Sequence, residues 1–195
     1  MKQRQNSIFE FKERYFFSLE KSHLEKLKEW RNAQMDVLRQ WKPLTIYNQE
    51  KWFQEISENI NQAIFSIVIF DKNGNEKFIG YCGLVNIDHI NKRAEISFLV
   101  DPKRASKRKI YGQDFTAALR ALCEYGFNQL NLNKIYAETF SFRKYHIEIL
   151  EKFGFKRDGF LREHQYVNGK YYGSIIHSIL KSEFFEKYGG KNVEK

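Results

Sequence analysis

Cysteine is nearly absent. Cys82 and Cys123 are the only two, and they form neither a zinc-ligand spacing nor a disulfide framework, so no metal site is expected. Proline is equally scarce, at Pro43 and Pro102, and there is no repeat, low-complexity stretch or linker composition. One domain over residues 1–195 is the expectation, long enough for a substantial core. No apolar run approaches the roughly 20 residues that span a bilayer. The longest, IFSIVIF at 64–70, has the length of a strand. The start, MKQRQNSIFEFKER, lacks the apolar segment of a signal peptide. These absences together lead us to expect a cytoplasmic chain with no membrane partner.

What is present is aromatic and basic. Apolar residues make up 42% and aromatics 16%, as in a globular chain rather than a disordered one. The net charge of +9 favours an anionic partner: a nucleotide cofactor, an acidic substrate or a nucleic acid. The basic residues are dispersed and no nucleic-acid-binding motif is recognisable, so nucleic acid ranks below a cofactor.

The periodicity alternates between strand and helix. Residues 14–19 read as a strand. Ser22 and Glu25 are spaced as a capping box before a helix carrying Leu24, Leu27 and Trp30. Asn48 is placed to cap a second helix with Trp52, Phe53, Ile56 and Ile60 on one face. Strands follow at 64–70, 78–88 and 93–100, the first two joined by the turn signal Asn73-Gly74. A helix over 112–130, a strand at 134–140 and a helix at 143–154 come next. A final hairpin turns at Asn168-Gly169 and precedes a short helix. This is an α+β (α/β) pattern: an antiparallel sheet that turns parallel where a helix joins two strands.

The stretch LVDPKRASKRKIYGQDF (99–115) carries Lys103, Arg104, Lys107, Arg108 and Lys109, and no glycine before Gly112. The order strand, basic loop, helix, strand, helix, Gly154-Phe155 resembles the GNAT superfamily of acetyl-CoA-dependent N-acetyltransferases over residues 14–186. EWRN (29–32), FIGYCGLVNID (78–88) and the tail 150–180 are similar to its branch of ribosomal-protein alanine N-acetyltransferases. The resemblance implies a mixed, mostly antiparallel central sheet flanked by helices, with acetyl-CoA as co-substrate. It implies acetyl transfer to a primary amine: a small molecule such as an amino-sugar nucleotide, or a protein N-terminus. A non-catalytic CoA- or anion-binding module stays open beside it, and so do monomer and homodimer. For the cofactor it implies Phe98, Leu99 and Val100 along the pantetheine arm. Lys107, Arg108, Lys109, Ile110, Tyr111 and Gly112 would lie around the pyrophosphate. The family has glycine where this chain has Ile110. Arg143, a forked cation near a helix start, fits a CoA phosphate. His146, one residue before Ile147, reads as a half-buried structural histidine.

Two carboxylates interrupt apolar strands. Glu95 shares a face with Ser97 and Leu99, and Glu138 shares one with Tyr136 and Phe140. A carboxylate there is costly unless paired or functional. Both are candidate catalytic residues, with a salt bridge to Arg93, Lys134 or another cation as the structural alternative. Glu138 matches the glutamate that acts as base in one protein-N-terminal branch of the family. The tyrosine that is often the family's acid falls at Leu150; Tyr145, Tyr136 or Ser141 could substitute for it, or proton transfer could go through water. The resemblance also implies an acceptor site between the first two helices and the last hairpin, where Trp30, Arg31 and Arg39 would face Tyr166. Aromatics beside cations suit an anionic, ring-bearing molecule.

Overall fold

The computed structural model describes residues 6–189. Residues 1–5, where the N-terminal segment begins, and 190–195, the end of the expected 1–195 domain, lie outside the described residues. The strands are β1 (Phe9–Phe11), β2 (Arg14–Ser18), β3 (Ala63–Phe70), β4 (Glu76–Asp88), β5 (Arg93–Val100), β6 (Lys134–Phe140), β7 (Lys156–Val167) and β8 (Lys170–Leu180). The helices are α1 (Leu24–Asn32), α2 (Ile46–Glu58), α3 (Pro102–Ala105), α4 (Arg108–Glu124), α5 (Lys144–Phe153) and α6 (Lys181–Tyr188). All eight strands join one sheet in the order β1-β2-β3-β4-β5-β6-β8-β7. Every neighbouring pair is antiparallel except β5–β6. The mixed, mostly antiparallel sheet expected from the sequence is therefore present.

Strand alternation sends the two faces of the sheet into two cores. Ile96 and Val100 of β5 and Ile135 and Ala137 of β6 pack with Phe115, Leu119 and Leu122 of α4, with Leu150 of α5 and with Phe184 of α6. Leu99, on the opposite face of β5, packs with Leu27 of α1, and Trp52, Phe53 and Ile56 of α2 lie against it. Helices thus cover both faces, α1 and α2 on one side and α4, α5 and α6 on the other. Among the described residues no helix is long and apolar enough to cross a membrane.

The expected strand boundaries at β5 and β6 match the structure, and several helix ends differ. Glu20, not Ser22, caps the first turn: the Glu20 amide donates to His23 Nδ1 at 3.3 Å, closing a box that an imidazole can complete because its bare nitrogen accepts. Thr45, not Asn48, caps α2. Asn48 sits at the third helical position and accepts the Thr45 amide at 2.9 Å. Ile60 lies beyond the helix and is exposed. The helix expected over 112–130 begins earlier, at Arg108, and its α-helical part ends at Glu124 before one π turn over Tyr125–Gln129. The expected 143–154 helix is α5, closed by Gly154 at φ +121°, which favours glycine.

Candidate active site in the splayed sheet

The parallel pair β5–β6 is short. Only Arg93–Lys134, Ala94–Ile135 and Glu95–Tyr136 are in register. Beyond them the strands part while each keeps its antiparallel neighbour. The backbone edges that face the gap have no ladder partner across it, so they are open to a ligand. A cavity of about 210 Å³ fills the splay. Phe98 and Ala137 line it, with Phe115, Arg143 and His146 on the α4–α5 side. Ser97 and Glu138 line it too, with Arg31 and Arg39 on the α1–α2 side. The cleft thus passes through the sheet, and both faces reach it.

Glu95 and Glu138 lie on the same face and are joined through Arg39. This arginine sits in the connection between α1 and α2. Its Nη2 bonds Glu95 and its Nη1 lies 3.2 Å from Glu138 Oε2. Asn86 Nδ2 donates to the other Glu95 oxygen at 2.9 Å. The salt bridges are thus made by Arg39, not by the sequence neighbours Arg93 and Lys134, which pair with Asp88 and Asp158. Glu95 is 4% exposed and buried below the pair, whereas the Glu138 side chain retains 12%. Glu138 Oε1 has Gln165 Nε2 at 3.4 Å and His164 Nε2 at 3.7 Å. A bulge delivers both: between Leu161 and Gln165 β7 advances four residues while β8 advances two, with Glu163 at φ +49°.

The basic segment is built as two helical pieces. Asp101 caps α3, accepting the Lys103 amide at 2.8 Å, with Pro102 in the first turn. After Ser106 the chain re-enters helix at Arg108, so Ile110 and Gly112 lie inside α4 rather than in a loop. This corrects the loop reading of residues 107–112. Helical backbone accepts isoleucine at 110, and Gly112 marks a close approach to α5: a Cβ there would stand 2.5 Å from the Tyr145 hydroxyl. Lys107 occupies the cap position without a side-chain hydrogen bond. The first amides of α4 therefore have no side-chain acceptor and point out beside Lys107, Arg108 and Lys109. Arg108 also pairs with Glu148 at 2.9 Å and lies 4.1 Å over the Tyr145 ring.

Behind this helix start sits a residue the sequence reading did not single out. Asp114 is fully buried in α4. Arg104 of α3 grips it through Nε at 2.7 Å and Nη2 at 2.9 Å, and Arg14 of β2 donates from Nε at 3.0 Å. An aspartate one residue before Phe115, on the apolar face of an amphipathic helix, is the signal that would have found it.

A second network crosses from α4 to α5. Arg143 Nη2 donates to the Tyr111 hydroxyl at 2.9 Å, and that hydroxyl lies 2.6 Å from His146 Nδ1. His146 stacks on Phe115 at 4.1 Å. Burial, then Arg143 and His177, hold its imidazole well below the usual histidine range. Burial raises the Tyr111 phenol, with Arg143 acting the other way. Of the acceptor candidates, Arg31 and Arg39 line the cleft. Trp30 instead stacks on Phe78 in the α1–α2 core. Tyr166 is 65% exposed and packs on Tyr171 near the hairpin tip. Of the three strand residues, Phe98 lines the cleft, Leu99 packs into the α1–α2 core, and the Val100 carbonyl accepts from Gln34 Nε2 at 2.9 Å.

A buried histidine, His23, and a half-buried one, His146, set a pH dependence. His23, like His146, is held below its usual value, chiefly by burial. The unfolded chain then binds more protons than the native one between those lowered values and about 6.5. Stability is therefore expected to fall as pH drops below about 6.5. Thermal unfolding at pH 7.5 and 5.5 measures it, and His146→Gln should flatten the slope; an unchanged slope would remove His146 as a contributor.

The acetyltransferase (GNAT) domain family matches residues 17–176, and the chain belongs to that family. A putative ribosomal N-acetyltransferase of Bacillus subtilis is 31% identical over 58% of this chain and 63% of its own length. A spermidine N(1)-acetyltransferase of Escherichia coli is 29% identical over 56% of each chain. The chain thus spans about three fifths of the length of these two relatives. The fold is that of the Vibrio cholerae spermidine N-acetyltransferase crystallised with CoA and spermine, at a TM-score of 0.75, 23% identity, and 90% of this chain against 99% of that one. The ribosomal branch is one of several that the chain resembles.

Proposed function

We propose that the chain transfers an acetyl group from acetyl-CoA to a small primary amine. The observation that carries the reading is the through-sheet cleft with Glu138 at its α1–α2 side and the uncapped start of α4 at the other. The bare amides of α4 together with Lys107, Arg108 and Lys109 suit a pyrophosphate, and Arg143 suits a further phosphate or the pantetheine arm. The unpaired edge beside Phe98 suits the amides of that arm, as an extra strand would. An amine entering from the α1–α2 side meets Glu138, which takes its proton directly or through water. Glu95 holds Arg39, and Arg39 orients Glu138.

The acceptor reading turns on Arg39. A phosphate-bearing amino sugar needs this cation free, and both of its amino groups are committed to carboxylates. A small amine without phosphate needs no such release. The relatives that act on spermidine by name support this class, and the one named as ribosomal keeps a protein N-terminus as the second candidate. A thiol-release assay with spermidine, a simple monoamine, an alanine-terminated peptide and an amino-sugar nucleotide decides among them. Spermidine or the monoamine should be acetylated about tenfold faster than the other two, a difference of one decade in transition-state binding. Peptide preference would reject the small-amine reading. CoA binding without thiol release from any acceptor would establish a non-catalytic module.

A further inference from the structure

We propose that His146 is the catalytic proton donor to the sulfur of the leaving thiol, resupplied by Tyr111. The proposal rests on the acetyl-CoA reading above and adds the acid that reading lacks. Leu150 is fully buried and has no proton to give. Tyr145 lies under Arg108. His146 lines the same cleft as Glu138, on the opposite side of the splay. Attack from the α1–α2 face drives the leaving group toward α4 and α5, where this imidazole stands.

The ring is oriented for the task. Its Nδ1 is engaged by the Tyr111 hydroxyl, and Arg143 donates to that same oxygen. With the guanidinium on one lone pair, the hydroxyl's own hydrogen is free to point to Nδ1, which is then the bare nitrogen of a neutral ring. Nε2 then carries the hydrogen, and it has no protein acceptor among the described residues. Burial disfavours its charged form most, followed by Arg143 at the start of α5 and His177 on β8; Tyr111 on α4 touches the ring, and Glu138 lines the cleft across from it. Burial and these two neighbours keep the ring uncharged, so it donates a hydrogen without first holding an extra proton.

The step balances. As the carbon–sulfur bond breaks, the Nε2 hydrogen passes to sulfur and the Tyr111 hydrogen passes to Nδ1. The imidazole ends neutral with its hydrogen on the other nitrogen. The phenolate left on Tyr111 is held by Arg143 and regains a proton from solvent, while Glu138 releases the proton it took from the amine. One N–H bond of the amine is exchanged for one S–H bond.

Three measurements test this. Nitrogen NMR of histidine-labelled, ligand-free protein should show His146 with a bare Nδ1 and a protonated Nε2; the opposite tautomer overturns the proposal whatever the variants do. The ultraviolet absorbance of thiolate then titrates CoA bound to the wild type, His146→Phe and Tyr111→Phe. The bound thiol should ionise about one pH unit lower in the wild type than in His146→Phe, because a donor at sulfur favours the charged form. Equal values would overturn the role of His146 and leave the cofactor reading standing; no CoA binding at all would remove both. In turnover, His146→Phe should lower kcat roughly 10- to 100-fold. Adding Tyr111→Phe should cost little more, since the two act as one relay. Independent losses from the two variants would mean separate structural roles.

Discussion

Glu138→Gln is expected to lower kcat roughly 10- to 1000-fold, the range of a lost general base, with CoA affinity unchanged. The amide keeps the size and one acceptor oxygen, so Gln165 and His164 retain a neighbour and β7 keeps its bulge. Arg39 keeps its bond to Glu95 and therefore its place. What disappears is the capacity to take a proton from the amine. Steady-state kinetics with thiol readout, paired with calorimetry of CoA binding, gives the result. A variant within twofold of wild-type kcat would return Glu138 to a structural role and shift attention to Glu95.

Asp114→Ala is expected to cost about 3–5 kcal/mol, as when one partner of a buried ion pair is removed. Two guanidiniums, Arg14 and Arg104, converge on this one fully buried carboxylate. Without it both charges remain in a nearly dry site with no counter-ion. At roughly 2–4 °C per kcal/mol for a chain of this size, the midpoint should fall by something on the order of 10 °C. Denaturant unfolding measures the loss. A change below about 1 kcal/mol, the size of an exposed pair, would mean that water reaches the arginines and that Asp114 is not an anchor. Because Arg104 belongs to α3, the same variant should loosen the basic turn.

Local pattern made the sheet readable. The alternation in RAEISFLV set Glu95 with Ser97 and Leu99, and that in KIYAETF set Glu138 with Tyr136 and Phe140, because side-chain direction in a strand is fixed by period two; that the two sets share one face of the sheet came from the fold. The helix at 108–124 was readable in kind but not at its start. Asp101, Pro102 and Ser106 cap and close a short turn, so no glycine is needed to let α4 begin. The partner of the two glutamates was not readable. Arg39 is 56 residues from one and 99 from the other, and nothing in sequence spacing encodes a contact made by an irregular connection. His146 escaped for a related reason. Beside Ile147 it looks like packing; only the approach of Tyr111 from another helix fixes which nitrogen faces the cleft.

The three-residue ladder between β5 and β6 divides the sheet mechanically. Strands β1–β5 form one plate and β6, β8 and β7 another, hinged at Arg93–Glu95 and Lys134–Tyr136. A lever hinged at one end moves most at the other, so a slight tilt between plates changes the mouth of the cleft far more than its root. Glu95 sits on the hinge itself, and Arg39 straps it to Glu138 two residues along the opposite plate. Aperture and charge are therefore tied in this molecule: the guanidinium that pairs the two carboxylates is also a contact that spans the gap between the plates.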